Sequence, residues 1–246
     1  MIKLDRAADP LDPDEVKQLT EHFIRTGESV WNMENLKQSL NAMSHGKCCY
    51  CETNTNEESK YMEVEHFRCK KNHRNDVLKW SNLLPSCKRC NGRKHEHDVT
   101  TEGEIIDPSV DDPRDHIFIS NYRMRPRTEK GKMTIDVVDL NDYLRAVTKR
   151  FKIGEIFYKM LDDLTEMINT AQFPLHATRR NRILNKMESI LGECQRYNAY
   201  SATSATIVLT STEFQSSKLW LQQAGLWSAK LQSLEDEADK IMLAIA

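Results

Sequence analysis

The sequence predicts an α+β chain with a metal-stapled centre. Three observations carry that class: apolar residues at helical spacing near both ends, two Cys-x-x-Cys pairs 35 residues apart, and a short strand-like segment, Tyr61–Phe67, between the pairs.

Residues 1–47 form a helical lead-in. Asp12 can cap a first helix, Pro13 suits its first turn, and Glu15 completes the capping-box spacing. Val16, Leu19, Phe23 and Ile24 then share one face. A second helix carries Met33, Leu36, Leu40 and Met43 and ends at His45-Gly46-Lys47. Residues 48–140 form the motif-dense core. After the strand over 61–67 come a loop, Arg68–Asn82, and a short helix, Lys88–His97. Ile105–Asp115, with Asp-Pro twice, is expected to be extended. Ile117–Arg125 and Met133–Leu140 read as a hairpin turning about Glu129-Lys130-Gly131-Lys132. Residues 141–246 read as helical, with Tyr143, Val147, Phe151, Phe157, Met160, Leu161, Leu164 and Ile168 in one series. Ile183, Met187, Ile190, Cys194 and Tyr197 give another. A last helix carries a seam at alternating gaps of four and three: Trp220, Ala224, Trp227, Leu231, Leu234, Ala238, Ile241 and Ile245. Packing within the chain's own bundle and docking to another protein both fit that seam.

With 29% charged and 39% hydrophobic residues and a mean hydropathy of −0.64, the composition is that of a globular protein. No apolar run is long enough for a membrane span. The first ten residues lack the apolar core of a secretory signal, so a cytoplasmic location is expected. Net charge is −2, which does not mark a nucleic-acid binder. Its distribution says more: residues 60–97 hold ten Lys/Arg against four Asp/Glu, a local basic stretch suited to a polyanion.

Cys48-x-x-Cys51 and Cys87-x-x-Cys90 carry the strongest signal. Two intervening residues let both thiolates of a pair converge, and two pairs complete a tetrahedral Cys₄ zinc site. Such zinc has no open position and serves folding. Cys49 is too close to Cys51 to pair with it and reads as packing, as do Cys69 and Cys194.

Between the pairs lie Glu65-His66 at a strand end, Asn82, and Asn91 directly after the last cysteine. This order resembles the HNH or ββα-metal nucleases. Further matches, E-H-F-R, W-x-N-L-L-P-S-C-x-x-C-N-x-x-K, D-P-S-V-D-D-P and T-I-D-V-V-D-L-N, resemble the HNH effectors of Septu and retron-associated antiphage systems over most of residues 1–145. The resemblance implies a zinc-stapled ββα-metal core with a helical lead-in and a mostly helical C-terminal region. It implies His66 as general base, Glu65 and Asn91 as ligands of a catalytic Mg²⁺ or other divalent ion, and Asn82 as a brace for the loop that orients His66. These residue types suit that chemistry, since neutral His can deprotonate water near pH 7 and oxygen ligands suit a hard cation.

His95 stands where colicin-type relatives carry a metal-binding His, whereas the antiphage effectors have a small residue. It is expected to share a helix face with Asn91. Cys69 stands where Pro is expected. His73 and His97 read as solvated, and His22, His45, His116 and His176 have no evident partners. Lys70, Lys71, Arg74, Lys88, Arg89, Arg93 and Lys94 are candidates for phosphate contact. The resemblance implies DNA as substrate, and as partners an ABC/SMC-type ATPase, PtuA, with a retron reverse transcriptase and its RNA–DNA product in some systems. The chain has no G-x-x-x-x-G-K-[ST] loop of its own. Two alternatives remain open: the same chemistry on tRNA or other RNA, and a non-catalytic zinc module that only binds nucleic acid or protein.

Overall fold

A computed structural model describes residues 1–57, 61–171 and 174–244. Lys60 of the basic stretch and Ile245 of the seam lie outside them. The chain divides into two compact units. The first comprises residues 1–117 and 124–141, the second residues 118–123 and 142–246.

The first unit opens with α1 (Pro13–Thr26). Asp12 Oδ1 accepts hydrogen bonds from the Asp14 and Glu15 amides, and Gly27 ends the helix at φ +78°, a conformation that glycine adopts without strain. α2 (Glu34–Met43) buries Leu36, Leu40 and Met43, the predicted face. His45 and Gly46 follow at φ +55° and +72°, turning the chain into the first cysteine pair.

β1 (Met62–His66) pairs antiparallel with β2 (Leu83–Cys87), with Glu65 opposite Leu84 and His66 opposite Leu83. Beyond the strand ends, the Phe67 amide donates to the Asn82 carbonyl at 2.9 Å. α3 (Lys88–Lys94) leaves β2 at Cys87, and both α2 and α3 pack on the two strands. The expected helix to His97 stops at Lys94, because His95 takes φ +47° and ψ −119°.

Ile105–Asp115 is not extended throughout: Asp112 caps a single helical turn, α4 (Pro113–His116). The hairpin also differs from expectation. β3 (Ile117–Ser120) pairs with β4 (Arg123–Pro126), and the supposed turn and second strand form a helix, α5 (Glu129–Val137). Thr128 caps it by accepting from the Gly131 amide at 3.1 Å. Gly131 is there for space rather than for a turn: a Cβ would stand 2.0 Å from the His116 carbonyl oxygen.

In the second unit a π-helical turn (Tyr143–Val147) leads into α6 (Thr148–Asn169). α7 (Ala177–Glu193), α8 (Ser201–Thr210), α9 (Thr212–Gln223) and α10 (Ala229–Asp239) complete the bundle. Phe157, Leu161, Leu164 and Ile168 of α6 and Ile183, Met187 and Ile190 of α7 are buried as their spacing predicts. α8 touches α6, α7, α9 and α10, and Ser201–Leu209 are all buried. Thr206 Oγ1 and Thr210 Oγ1 bond back to the Ala202 and Thr206 carbonyls, each at 2.6 Å, whereas the buried Thr203 Oγ1 has no such bond. The expected continuous last helix is broken: α9 stops at Gln223, Gly225 takes φ +66°, and α10 begins at Ala229. Trp227 lies in the break, half-buried, edge-to-face with Phe214 and bonded through Nε1 to Gln232.

Candidate metal centre and active site

The first cysteine pair sits on a tight knuckle. The Glu52 amide donates to Cys48 O and the Cys48 amide to Thr53 O, closing the turn. The Cys49 amide donates to Pro85 O at 2.8 Å, which ties the knuckle to β2. The second pair uses the β2–α3 junction: Cys87 ends the strand, and Cys90 lies in the first turn of α3.

The Sγ atoms of Cys48, Cys51, Cys87 and Cys90 all lie within 4.8 Å of one another, with Cys51 and Cys87 3.7 Å apart. A tetrahedron with zinc–sulfur bonds of about 2.3 Å has edges near 3.8 Å, so the four atoms fit that ion. The donor chemistry agrees. Burial raises the Cys48 thiol, but hydrogen bonds from the surrounding cysteines outweigh it and hold Cys48 well below its ordinary pKa. Cys90 is pushed well above its own, first by Cys48 and then by Cys51 and Cys87. Four thiols this close cannot all ionise without a cation among them. Cys49 is buried outside the cluster, and Cys69 and Cys194 are buried elsewhere. Arg89 donates to Cys90 Sγ at 3.4 Å and to the Asp139 carbonyl at 2.8 Å, so it serves the cluster rather than a phosphate.

A cavity of about 250 Å³ in the same unit is bordered by Glu65, His66, Asn91 and His95, with Lys70, Lys71 and Arg74 on its rim. His66 reaches it from the end of β1. Its Nε2 donates to the Val77 carbonyl at 3.0 Å, and its ring meets Trp31 edge-to-face at 4.7 Å. Burial, with Lys70 assisting, holds the His66 pKa down at about 4. The neutral ring with its proton on Nε2 has its lone pair on Nδ1.

Glu65 is fully buried. Burial raises its pKa to about 7 against the pull of Lys94, whose Nζ lies 2.7 Å from Glu65 Oε1 and donates to the His66 carbonyl at 2.8 Å. Lys94, only 1% exposed, therefore cannot be the surface phosphate contact its sequence position suggests. Asn91 Nδ2 donates to Glu63 Oε2 at 2.7 Å, which leaves its carbonyl oxygen as the acceptor end. His95 borders the cavity from beyond the helix end and is exposed, so it does not share a helix face with Asn91.

Asn82 braces the intervening loop from its base. Its Oδ1 accepts from the Arg68 amide at 2.7 Å, and its Nδ2 donates to the Arg68 and Asp76 carbonyls.

His73 and His97 are not merely solvated. His73 Nε2 meets Asp98 Oδ1 at 3.0 Å, and His97 Nε2 donates to Gly103 O at 2.8 Å. His22 meets Glu28 at 2.7 Å and His116 meets Thr128 at 2.9 Å. Arg74 donates to the Phe23 and Ile24 carbonyls at the end of α1. Trp31, Glu63, Lys94 and the Val77 carbonyl escape sequence reasoning, because their roles depend on residues 11 to 35 positions away.

The two strands, the helix that follows them and the four converging cysteines define a protein with a cluster that could hold a metal ion and a polar cavity in the same unit. No family model matches the chain. It is 40% identical over 247 residues, 99% of this chain and 95% of the relative, to the Septu protein PtuB of Bacillus thuringiensis. It is 29% identical over 171 residues, 54% of this chain and 57% of the relative, to the Septu protein PtuB of Bacillus mycoides strain KBAB4. The chain belongs to the PtuB family of Septu proteins.

Proposed function

We propose that this chain is a metal-dependent endonuclease of the HNH type. It hydrolyses phosphodiester bonds in DNA as the effector of an antiphage defence system, acting with an ATPase partner of the PtuA kind. The observation that carries this reading is the convergence of Glu65, His66 and Asn91 on one cavity, with His66 Nε2 bonded to a backbone carbonyl.

Phosphodiester hydrolysis requires a base for water. His66 Nδ1 has the free lone pair, is neutral above its depressed pKa, and has its ring fixed by Val77 and Trp31. The carboxylate of Glu65 and the carbonyl of Asn91 suit a hard cation that keeps several waters, with His95 as a further donor from the cavity edge. What Mg²⁺ supplies when bound there is polarisation of the phosphate and stabilisation of the departing 3′ oxygen. Lys70 places positive charge at the cavity, where it would position the backbone without reading bases, whereas Lys71 is paired with Glu96 at 2.6 Å. Zinc in the thiolate cluster would hold β2, α3 and the first knuckle together and take no part in the chemistry.

The test is purification with the ATPase, then assay on plasmid DNA and total RNA with Mg²⁺. Wild type should cut DNA. His66→Ala should lose roughly 10²–10⁴-fold in rate while keeping its zinc and its melting temperature. Cleavage of RNA alone would move the substrate. Undiminished cutting by His66→Ala would revive the binding-module reading.

A further inference from the structure

Lys94 ends α3 one turn after Asn91, and its side chain runs inward instead of toward solvent. Burying an ammonium is costly unless every donor finds a partner. Here the head group forms an ion pair with Glu65 Oε1 at 2.7 Å and donates to the His66 carbonyl at 2.8 Å. Those are the two adjacent residues of β1 that border the cavity. The other end of the same helix carries Cys90 of the thiolate cluster.

We propose that Lys94 is a positioning residue: a strut from the metal-stapled helix that fixes the Glu65 carboxylate and the His66 peptide relative to Asn91. The inference deepens the nuclease reading and rests on it. An ion pair at 2.7 Å restricts rotation of the Glu65 carboxylate, and that carboxylate belongs to a residue bordering the cavity. Asn91 is held in the same manner from the other side, by its bond to Glu63. The geometry gives each oxygen donor a fixed neighbour on the facing element: Glu65 from α3, Asn91 from β1. Lys94 touches neither the proposed water nor the phosphate.

The experiment uses the full-length, zinc-loaded chain and Mn²⁺ as the probe, followed by calorimetry, beside the DNA cleavage assay with the ATPase present. Wild type is expected to bind one Mn²⁺ at the cavity and Glu65→Gln to lose it. Lys94→Met is expected to weaken Mn²⁺ at least tenfold and lower kcat by a similar factor, with KM for DNA and zinc content little changed; its melting temperature should fall, because Glu65 and the His66 carbonyl lose a buried partner. In the Glu65→Gln background, Lys94→Met should add no further loss. Lys94→Arg carries the test if Lys94→Met loses its zinc. A planar guanidinium cannot place one ammonium between these two acceptors, so Mn²⁺ should again weaken with the charge retained.

Unchanged or tighter Mn²⁺ binding in a folded Lys94 variant overturns the strut, even if wild type cuts DNA. A wild-type chain that neither binds Mn²⁺ nor cuts overturns the nuclease reading, and the strut with it.

Discussion

Asn82 carries more hydrogen bonds than its position in a loop suggests, and all three close on backbone groups of the segment between β1 and β2. Truncation to Ala would leave the Arg68 amide and two carbonyls without their partner in a partly buried place. A fully buried loss costs about 1–3 kcal/mol and a partly hydrated one less, so Asn82→Ala should lower unfolding stability by about 1–3 kcal/mol in a denaturant titration. A change under about 0.5 kcal/mol, the range of an ordinary surface substitution, would contradict the brace. The cysteines divide as sharply. Metal analysis should give about one zinc per chain; Cys87→Ser or Cys90→Ser should abolish it, whereas Cys49→Ser should retain it, because Cys49 lies outside the cluster. Zinc loss on Cys49→Ser would require a different ligand set. At this scale the cysteine frame was legible because a Cys-x-x-Cys knuckle is a local object. The partners of Glu65 and His66 were not. A lysine in a basic run looks like a surface residue until a buried carboxylate from another element is placed beside it, and Trp31 lies 35 positions from the ring it supports.

Among the elements, α5 and the α9–α10 break show where pattern reading failed. Glu129-Lys130-Gly131-Lys132 has turn composition, yet Thr128 caps a helix there and Gly131 is chosen by the nearby His116 carbonyl. Gly131→Ala should therefore lower the melting temperature, although Ala in a helix is favoured over Gly by about 1 kcal/mol. Gly192→Ala in α7, where a Cβ meets nothing within 4 Å, should raise it. Opposite signs from one chemical change are the check, and a stabilising Gly131→Ala would reject the close approach. The seam failed for a different reason. Spacing records which residues face one way if the helix continues, and it does not reveal that Gly225 ends one helix before Trp227 is reached. The indole of Trp227 sits against Phe214, with Lys218 Nζ 5.3 Å from its centroid. Trp227→Ala should then destabilise the chain by about 2–4 kcal/mol without any partner present, near the lower range for a core aromatic because the ring is half-buried. An unchanged thermal melt would return Trp227 to the role of a docking anchor. The long helices α6 and α7 were legible because their 3.6-residue periodicity runs for many turns.

For the whole molecule, the consequence of two units is unequal dependence on metal. Among the described residues, the four-cysteine group is the one set of three or more His, Cys, Asp or Glu side chains whose ligand atoms converge, and it lies in the first unit. The second unit is held by apolar burial around α8. Chelation should therefore remove the tertiary signal of the first unit, along with any nuclease activity, while most of the far-ultraviolet helical signal persists. A single transition that abolishes both would mean that the second unit cannot stand without the first.

The spacing of the knuckles also sets a clock. An ion held by the four cysteines would close a loop of 35 residues between Cys51 and Cys87, and joining the ends of such a loop costs ~4 kcal/mol of chain entropy. Ribosomes add roughly 5–20 residues per second, so Cys90 follows Cys51 out of the tunnel by about 2–8 s. During that interval Glu65 and His66 are already made, but the helix that brings Asn91 and Lys94 to them does not yet exist. On the nuclease reading, a protein that damages nucleic acid is thus mute while half synthesised, and the thiolate that completes its scaffold is the last of the four to be translated.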